Sequence, residues 1–466
     1  MTHSRLLAGT ALSLLALAPL TAQAATCTSL GTDIACLAPG SGPVSSGTDA
    51  VQVIVAIGAS IESDDEDVPA VALTGDAVSV VNSGTITQTN TSNGGHAILG
   101  EGDIVTIVND GTISSGDRGI EMDGGSDLTV LNAAGATISA RRQAIRAGTD
   151  SPNAFVSNAG TITSTEGRAL QLRSFGASVF NTGEIIGGEE VIEARGDFYL
   201  ENSGTIRLID DSIEDEDAVQ FAGGEVQNFG QIIGSDDGID VDEGLIVNHA
   251  GGLIKSTAPD ANDNGGIDID EVYDDGVSAL RAPTSLTIIN DGTIEGPKAI
   301  NTDPAAVSSL FVTNRGILNG RGGTAIALAA GMGDSSLELD GGSEVYGDVI
   351  FGGGDDELGI MTITSGLLGT GIFDGGTGSN TLSFGAGLAA FESARLSGNR
   401  LELSFLSGGD LLSGTFLNFG TVVIGGARYT ASEAAALIAA APVPLPAGLP
   451  LLLAGLGGFG LLRRWR

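Results

Sequence analysis

The chain reads as an all-β protein, a right-handed parallel β-helix of about eleven coils, on three observations. The first is a repeat. Asn recurs at Asn82, Asn109, Asn132, Asn158, Asn181, Asn202, Asn228, Asn248, Asn290 and Asn314, at spacings of 20 to 27 residues with one gap of 42. Eight of the ten are followed by Gly at +2 and by Ile or Leu at +4, as in Asn109-Asp-Gly111-Thr-Ile113; Asn132 and Asn248 instead share a lengthened Asn-x-Ala-Gly turn. The second is alternation. The residue two before every Asn is apolar, from Val80 to Val312, which is the pattern of a half-buried strand. The third is composition. The 466 residues include 73 Gly but only 4% aromatics, which suits short strands separated by tight turns.

One unit therefore holds two or three short strands. A strand such as Gly119-Ile120-Glu121-Met122 or Ala169-Leu170-Gln171-Leu172 leads into the Asn strand, Asn-x-Gly turns the chain through cheaply adopted positive φ, and Ile at +4 opens the next strand. No unit can bury its own apolar face, but stacked units can, at roughly 4.8 Å per coil or about 50 Å in all. Stacked Asn side chains at equivalent turns are expected to form a hydrogen-bonded ladder. Helical and leucine-rich solenoids lack support in the spacing, and a propeller blade needs about 40 residues.

The elements follow in order. Residues 1–24 carry Arg5, an apolar run and Ala22-Gln23-Ala24, the pattern of a cleavable secretory signal. Residues 25–60 form an N-terminal cap in which Cys27 and Cys36, the only cysteines, are expected to close a small disulfide loop. Coils occupy 61–385, a closing β cap 386–430, and an alanine-rich spacer or short helix 431–442. Residues 443–466 comprise Val443-Pro444-Leu445-Pro446-Ala447, an apolar stretch to Leu462 and a basic end, Arg463-Arg464-Trp465-Arg466.

That tail resembles the PEP-CTERM family of bacterial sorting signals in its VPLPA variant. The resemblance implies recognition by an exosortase-type membrane enzyme, with transient anchoring of the apolar segment and release or transfer of the body. The Asn-x-Gly-Thr-Ile series over roughly 50–425 is similar to the passenger repeats of autotransporters and other bacterial surface β-helix proteins. The chain ends in the sorting tail rather than a membrane barrel, which places it as exported but not self-translocating.

A formal net charge of −38 excludes nucleic acid as a partner and favours divalent cations. Acidic runs lie at 210–217, at 236–243 and in the long insertion between Asn248 and Asn290. Asp236, Asp237, Asp240, Asp268 and Asp270 are the candidate Ca2+ ligands there, since hard oxygen donors suit that ion. Asp355 and Asp356 are further candidates, in a segment (Phe351 to Leu358) that resembles the nonapeptide Ca2+ repeats of RTX proteins but has Phe351 where that pattern has Gly; Gly375 to Leu382 is a second degenerate copy. No other cofactor is implied. A catalytic set is not expected: Asp236-Asp237-Gly238-Ile239-Asp240 and Asn301-Thr302-Asp303 superficially resemble motifs of β-helical pectic hydrolases, but in the wrong order and without their His or Arg-x-Lys partners. The surface also reads as poor in the basic groups that a lyase needs. The expectation is a non-enzymatic cell-surface or extracellular-matrix protein, an adhesin-like rod meeting exopolysaccharide or other cell surfaces; the alternative is an enzyme that degrades uronate polymers.

Overall fold

The computed structural model describes residues 27–210, 216–259, 264–269, 284–304, 306–362, 371–407 and 410–440. It is a β-solenoid of about twelve turns with 55% strand and 3% helix. Each full turn contributes one strand to each of three parallel sheets, shown by Ile120–Ile145, Val130–Val156 and Ile138–Ile162 pairing across neighbouring coils. We call these the lead-in sheet (Arg118–Met122 and its equivalents), the Asn sheet (Leu128–Asn132) and the Ile sheet (Thr137–Ala140). Most inward positions hold an aliphatic residue stacked on the same position one coil away. Val80, Ile107, Val130, Val156, Val179 and Leu200 form one such column, fully buried.

The Asn side chains form a continuous ladder. Nδ2 of each donates to Oδ1 of the next, from Asn82 to Asn314, at 2.7 to 2.9 Å in all nine steps. The same Nδ2 also reaches a backbone carbonyl of the next coil, as Asn181 does to Thr205 at 3.3 Å. All ten are at most 2% exposed, so the ladder answers every buried amide that it introduces. The stack continues past its ends: Val55 lies below Asn82 and Leu339 above Asn314 in the same register. Counting Asn therefore misses coils in which an apolar residue holds the ladder position.

The turn chemistry differs from expectation. Neither the ladder Asn residues nor the Gly at +2 has positive φ. The glycine is required because coils touch there: a Cβ at Gly204 would meet the Gly183 carbonyl oxygen at 2.1 Å, and one at Gly230 would meet that of Gly204 at 2.1 Å. Within the Asn-ladder coils positive φ falls instead at the two lengthened turns, Gly135 (83°) and Gly251 (87°), and at the other corner of the Asn strand. There Ala50, Ala77, Ile104, Asp127, Asn153 and Asp197 occupy the left-handed region at 55–61°.

Both ends of the stack are covered. The Cys27–Cys36 disulfide closes a hairpin of Thr28–Leu30 and Asp33–Cys36, and the latter strand already pairs in parallel with Gln52–Val55. Coil stacking thus begins inside the segment assigned to the cap. At the far end the aliphatic core gives way to packed rings, with Phe391 5.0 Å from Phe384 and 5.1 Å from Phe405. Antiparallel strands Phe391–Ser397, Arg400–Ser407 and Asp410–Leu417 lie over it. The helix Ala431–Ala440 buries Ala434 and Ile438 against this cap. Its start is a capping box: Thr430 Oγ1 accepts from the Glu433 N–H, and Glu433 accepts from the Thr430 N–H at 2.8 Å.

Candidate functional site

In a parallel stack, residues one coil apart sit side by side, so the outward positions of the lead-in sheet form rows. One row runs Glu121, Arg146, Gln171, Glu193, Gln220, Asp240, Asp268. Its first half mixes both charges with the neutral Gln171. Glu121, 4% exposed, is held by His96, Arg146 and Arg118, the last at 2.9 Å. Burial alone would raise its pKa; the His96 hydrogen bond and the Arg118 and Arg146 charges outweigh that and bring it down to about 2. Asp117, fully buried, takes both Arg142 nitrogens at 2.5 and 3.0 Å. Arg168 spans Glu189, Glu190 and Glu193 at 3.3, 2.8 and 2.6 Å. The expected poverty in basic groups is therefore wrong locally. Arg118, Arg141, Arg142, Arg146, Arg168 and Arg173 converge here because the coil period superimposes their positions.

Further along the stack the rows become acidic. Asp217, Asp236 and Asp237 bring three carboxylate oxygens within 4.8 Å of one another. Asp217 lies 20 residues before Asp237, one coil, and adjoining Val219 pairs with Ile239. The turn closes tightly at Gly234, where a Cβ would meet the Asp237 carbonyl oxygen at 1.7 Å. Asp217 Oδ1 accepts the Asp237 N–H at 3.1 Å, Asp237 Oδ1 accepts the Gly265 N–H at 2.6 Å, and the Asn264 amide donates to Asp236. Burial, then the Asp236 charge, pushes Asp217 well above the usual carboxylate range; burial, then Asp268 and Asp217, does the same to Asp237. Neighbouring Glu216 is pushed up to about 7 by burial and by Glu190 and Glu189. Such a centre has two ways to relieve its repulsion: to hold protons, or to hold a hard divalent cation on these oxygens.

Of the expected ligands, Asp236 and Asp237 belong to this centre. Asp240 and Asp268 lie one above the other in the adjoining row, and Asp240 Oδ2 accepts from Gln220 at 2.9 Å. Asp270 lies outside the described residues, as do residues 260–263 and 270–283 of the insertion, the signal segment and the Val443–Ala447 motif. Asp355 and Asp356 are far along the chain in the C-terminal coils, where they receive backbone amides: Ser379 N–H donates to Asp355 at 2.7 Å and Ser335 N–H to Asp356 at 2.8 Å. Burial raises Asp356 to about 6. The seven candidates thus do not form one site. A similar device recurs near the N-terminus, where Asp49, Asp76 and Asp103 each accept an amide from the following coil. Part of the acidity is scaffold.

Sequence reasoning missed Asp217 as a member of the centre, although its one-coil offset from Asp237 was a usable signal. No protein-family model matches the chain, and neither a curated protein nor a solved structure is significantly similar to it. No helix among the described residues is long and apolar enough to cross a membrane.

Proposed function

We propose that the chain is an exported cell-surface or extracellular-matrix protein that presents a rigid acidic rod for adhesion, biofilm or envelope structure. The observation that carries this reading is the unbroken Asn ladder across ten coils, within a molecule of net charge −38. A ladder of that length resists bending and spreads one repeating surface over a long distance. The resemblances of the repeat to autotransporter passengers and of the tail to VPLPA sorting signals support export, handling by an exosortase-type enzyme and transient anchoring by the C-terminus. The aspartate centre supports Ca2+ as a stiffening ion between coils. Asp217 and Asp237 argue against a catalytic role, since each spends an oxygen on the backbone amide of a neighbouring coil and is over 90% buried.

Deletion of the gene is expected to reduce cell attachment or matrix integrity, while the purified chain turns over no uronate polymer. Replacing Val443–Ala447 is expected to leave the protein in the membrane fraction. Added Ca2+ should raise the melting temperature of the wild type, and Asp217→Asn should abolish that rise. The second reading, a uronate-polymer lyase or hydrolase, draws on the arginine rows beside the carboxylates. Turnover lost in Asp237→Ala or Asp240→Ala would establish it in place of the first.

A further inference from the structure

The corner between the lead-in and Asn sheets varies in length along the rod. In two coils it is reduced to nothing: Val219–Asn228 and Ile239–Asn248 run through it as single strands. The corner of the preceding coil, between Ile192–Ala194 and Phe198–Asn202, is longer, and a cleft of about 630 Å3 opens beside the two shortened corners. Its lining residues come from successive coils between Phe175 and Phe311, so it runs along the rod for roughly 24 Å at ~4.8 Å per coil. The floor is bare backbone. Gly224 and Gly244 are paired in register, and a Cβ at Gly244 would strike the Gly224 carbonyl oxygen at 2.1 Å.

Two rings stand at the ends of this floor. Phe175 is 47% exposed and lies over Gly196, and Phe311 is 42% exposed on the outer face of the Asn sheet. Aromatics make up only 4% of the chain, and leaving two rings nearly half exposed forgoes burial worth about 1 kcal/mol each. Between them lie the carboxylates of Asp197 and Glu243 and the hydroxyls of Ser285 and Ser309, the latter two in register. None of the described lining residues is basic.

We infer that this cleft is a binding site for a neutral polysaccharide strand lying parallel to the rod axis. Pyranose rings offer flat C–H faces to Phe175 and Phe311, and their hydroxyl pairs suit the Asp197 and Glu243 carboxylates and the serine hydroxyls. A uronate or sulfated polymer is repelled by those carboxylates in a chain of net charge −38. A small cation is disfavoured because the rings are too far apart to enclose it; a cage needs ring faces within about 6 Å of the charge. A glycine floor leaves room for a chain to lie flat where side chains would lift it. This site names the partner of the proposed surface rod and rests on that reading for its biological setting only, since binding is measured on the purified chain whatever its location.

The test is calorimetric titration of the purified full chain with pentasaccharides of β-1,4-, β-1,3- and α-1,4-linked glucose, with an oligogalacturonate of equal length and with an oligolysine. Binding of at least one glucan, with galacturonate bound more weakly, is expected. Phe175→Ala and Phe311→Ala should each weaken it about tenfold. Phe229→Ala is the control: this ring is 47% exposed, stacks on His249 at the Asn-x-Gly corner and does not line the cleft, so its loss should leave affinity unchanged. Three results overturn the inference: no glucan binds at millimolar concentration; the galacturonate or the oligolysine binds more tightly than every glucan; or Phe175→Ala and Phe311→Ala bind as the wild type does. Loss of cell attachment on gene deletion without glucan binding would leave the rod reading standing and remove this site.

Discussion

Replacing one rung in the middle of the Asn ladder separates a hydrogen-bonded column from a row of turn formers. Asn181 accepts from Asn158 at 2.8 Å and from the Gly183 N–H at 3.2 Å. It donates to Asn202 at 2.8 Å, and to the Gly183 and Thr205 carbonyls at 3.3 Å each. Asn181→Ala removes two strong inter-coil bonds and three weaker contacts from a site that is 1% exposed. At about 1 kcal/mol for each strong bond, and a further 1–2 kcal/mol for buried partners left short, the loss is about 3–4 kcal/mol. Asn82 has Val55 beneath it and so makes one ladder bond rather than two, and Asn82→Ala should cost about 1 kcal/mol less. Asn181→Asp is the sharper perturbation. Asp is as good a turn residue as Asn, but it cannot donate to Asn202 and brings a buried charge, so it should be worse than Ala at neutral pH. Urea unfolding of the purified chain, followed by far-ultraviolet circular dichroism, reads all three. An Asn181→Asp variant as stable as the wild type would refute the ladder as a source of stability.

Two glycines present in the repeat for different reasons should respond differently. Gly204→Ala pushes a Cβ against the Gly183 carbonyl oxygen and should unfold the stack at much lower urea, whereas Gly135→Ala, with open space and φ of 83°, should cost only about 1–2 kcal/mol. Ile104 is a half-exposed β-branched residue at φ 61°, and Ile104→Asn should stabilise by about 1 kcal/mol in the same assay; a loss of stability would contradict the strain argument. The dependence on pH should run opposite to ordinary acid unfolding. Asp217, Asp237, Glu216 (about 7) and Asp356 (about 6) are raised in the folded chain, so their contribution is full below the unfolded carboxyl range and is lost as pH rises through those values. Glu121, lowered to about 2, contributes above its unfolded pKa and is lost only as pH falls through about 2. With divalent cations chelated, the melting temperature should therefore be higher at pH 5 than at pH 8, and Asp237→Asn should flatten that slope.

The sequence by itself determined the period, the coil architecture and the identity of the stacked column. Asn, apolar −2, Gly +2 and Ile +4 recur because each coil repeats the same backbone path, so one linear register becomes several vertical ones. It also paired Cys27 with Cys36, which have no other cysteine to join. Tertiary structure alone decided what each column meets. Gly at +2 is a close-approach residue and not a positive-φ residue, because the contact that demands it comes from a neighbouring coil rather than from the turn itself. The left-handed residues sit at the opposite corner, where Ala77 and Ile104 carry no sequence mark of it. The acids divide by burial and by neighbour: Asp117 and Glu121 under arginines, Asp355 and Asp356 on backbone amides, and Asp217, Asp236 and Asp237 facing one another. Coil lengths between 20 and 27 residues, with one of 42, shift each loop relative to the next, and those offsets, which no single repeat contains, set which charges are neutralised and where the glycine floor opens.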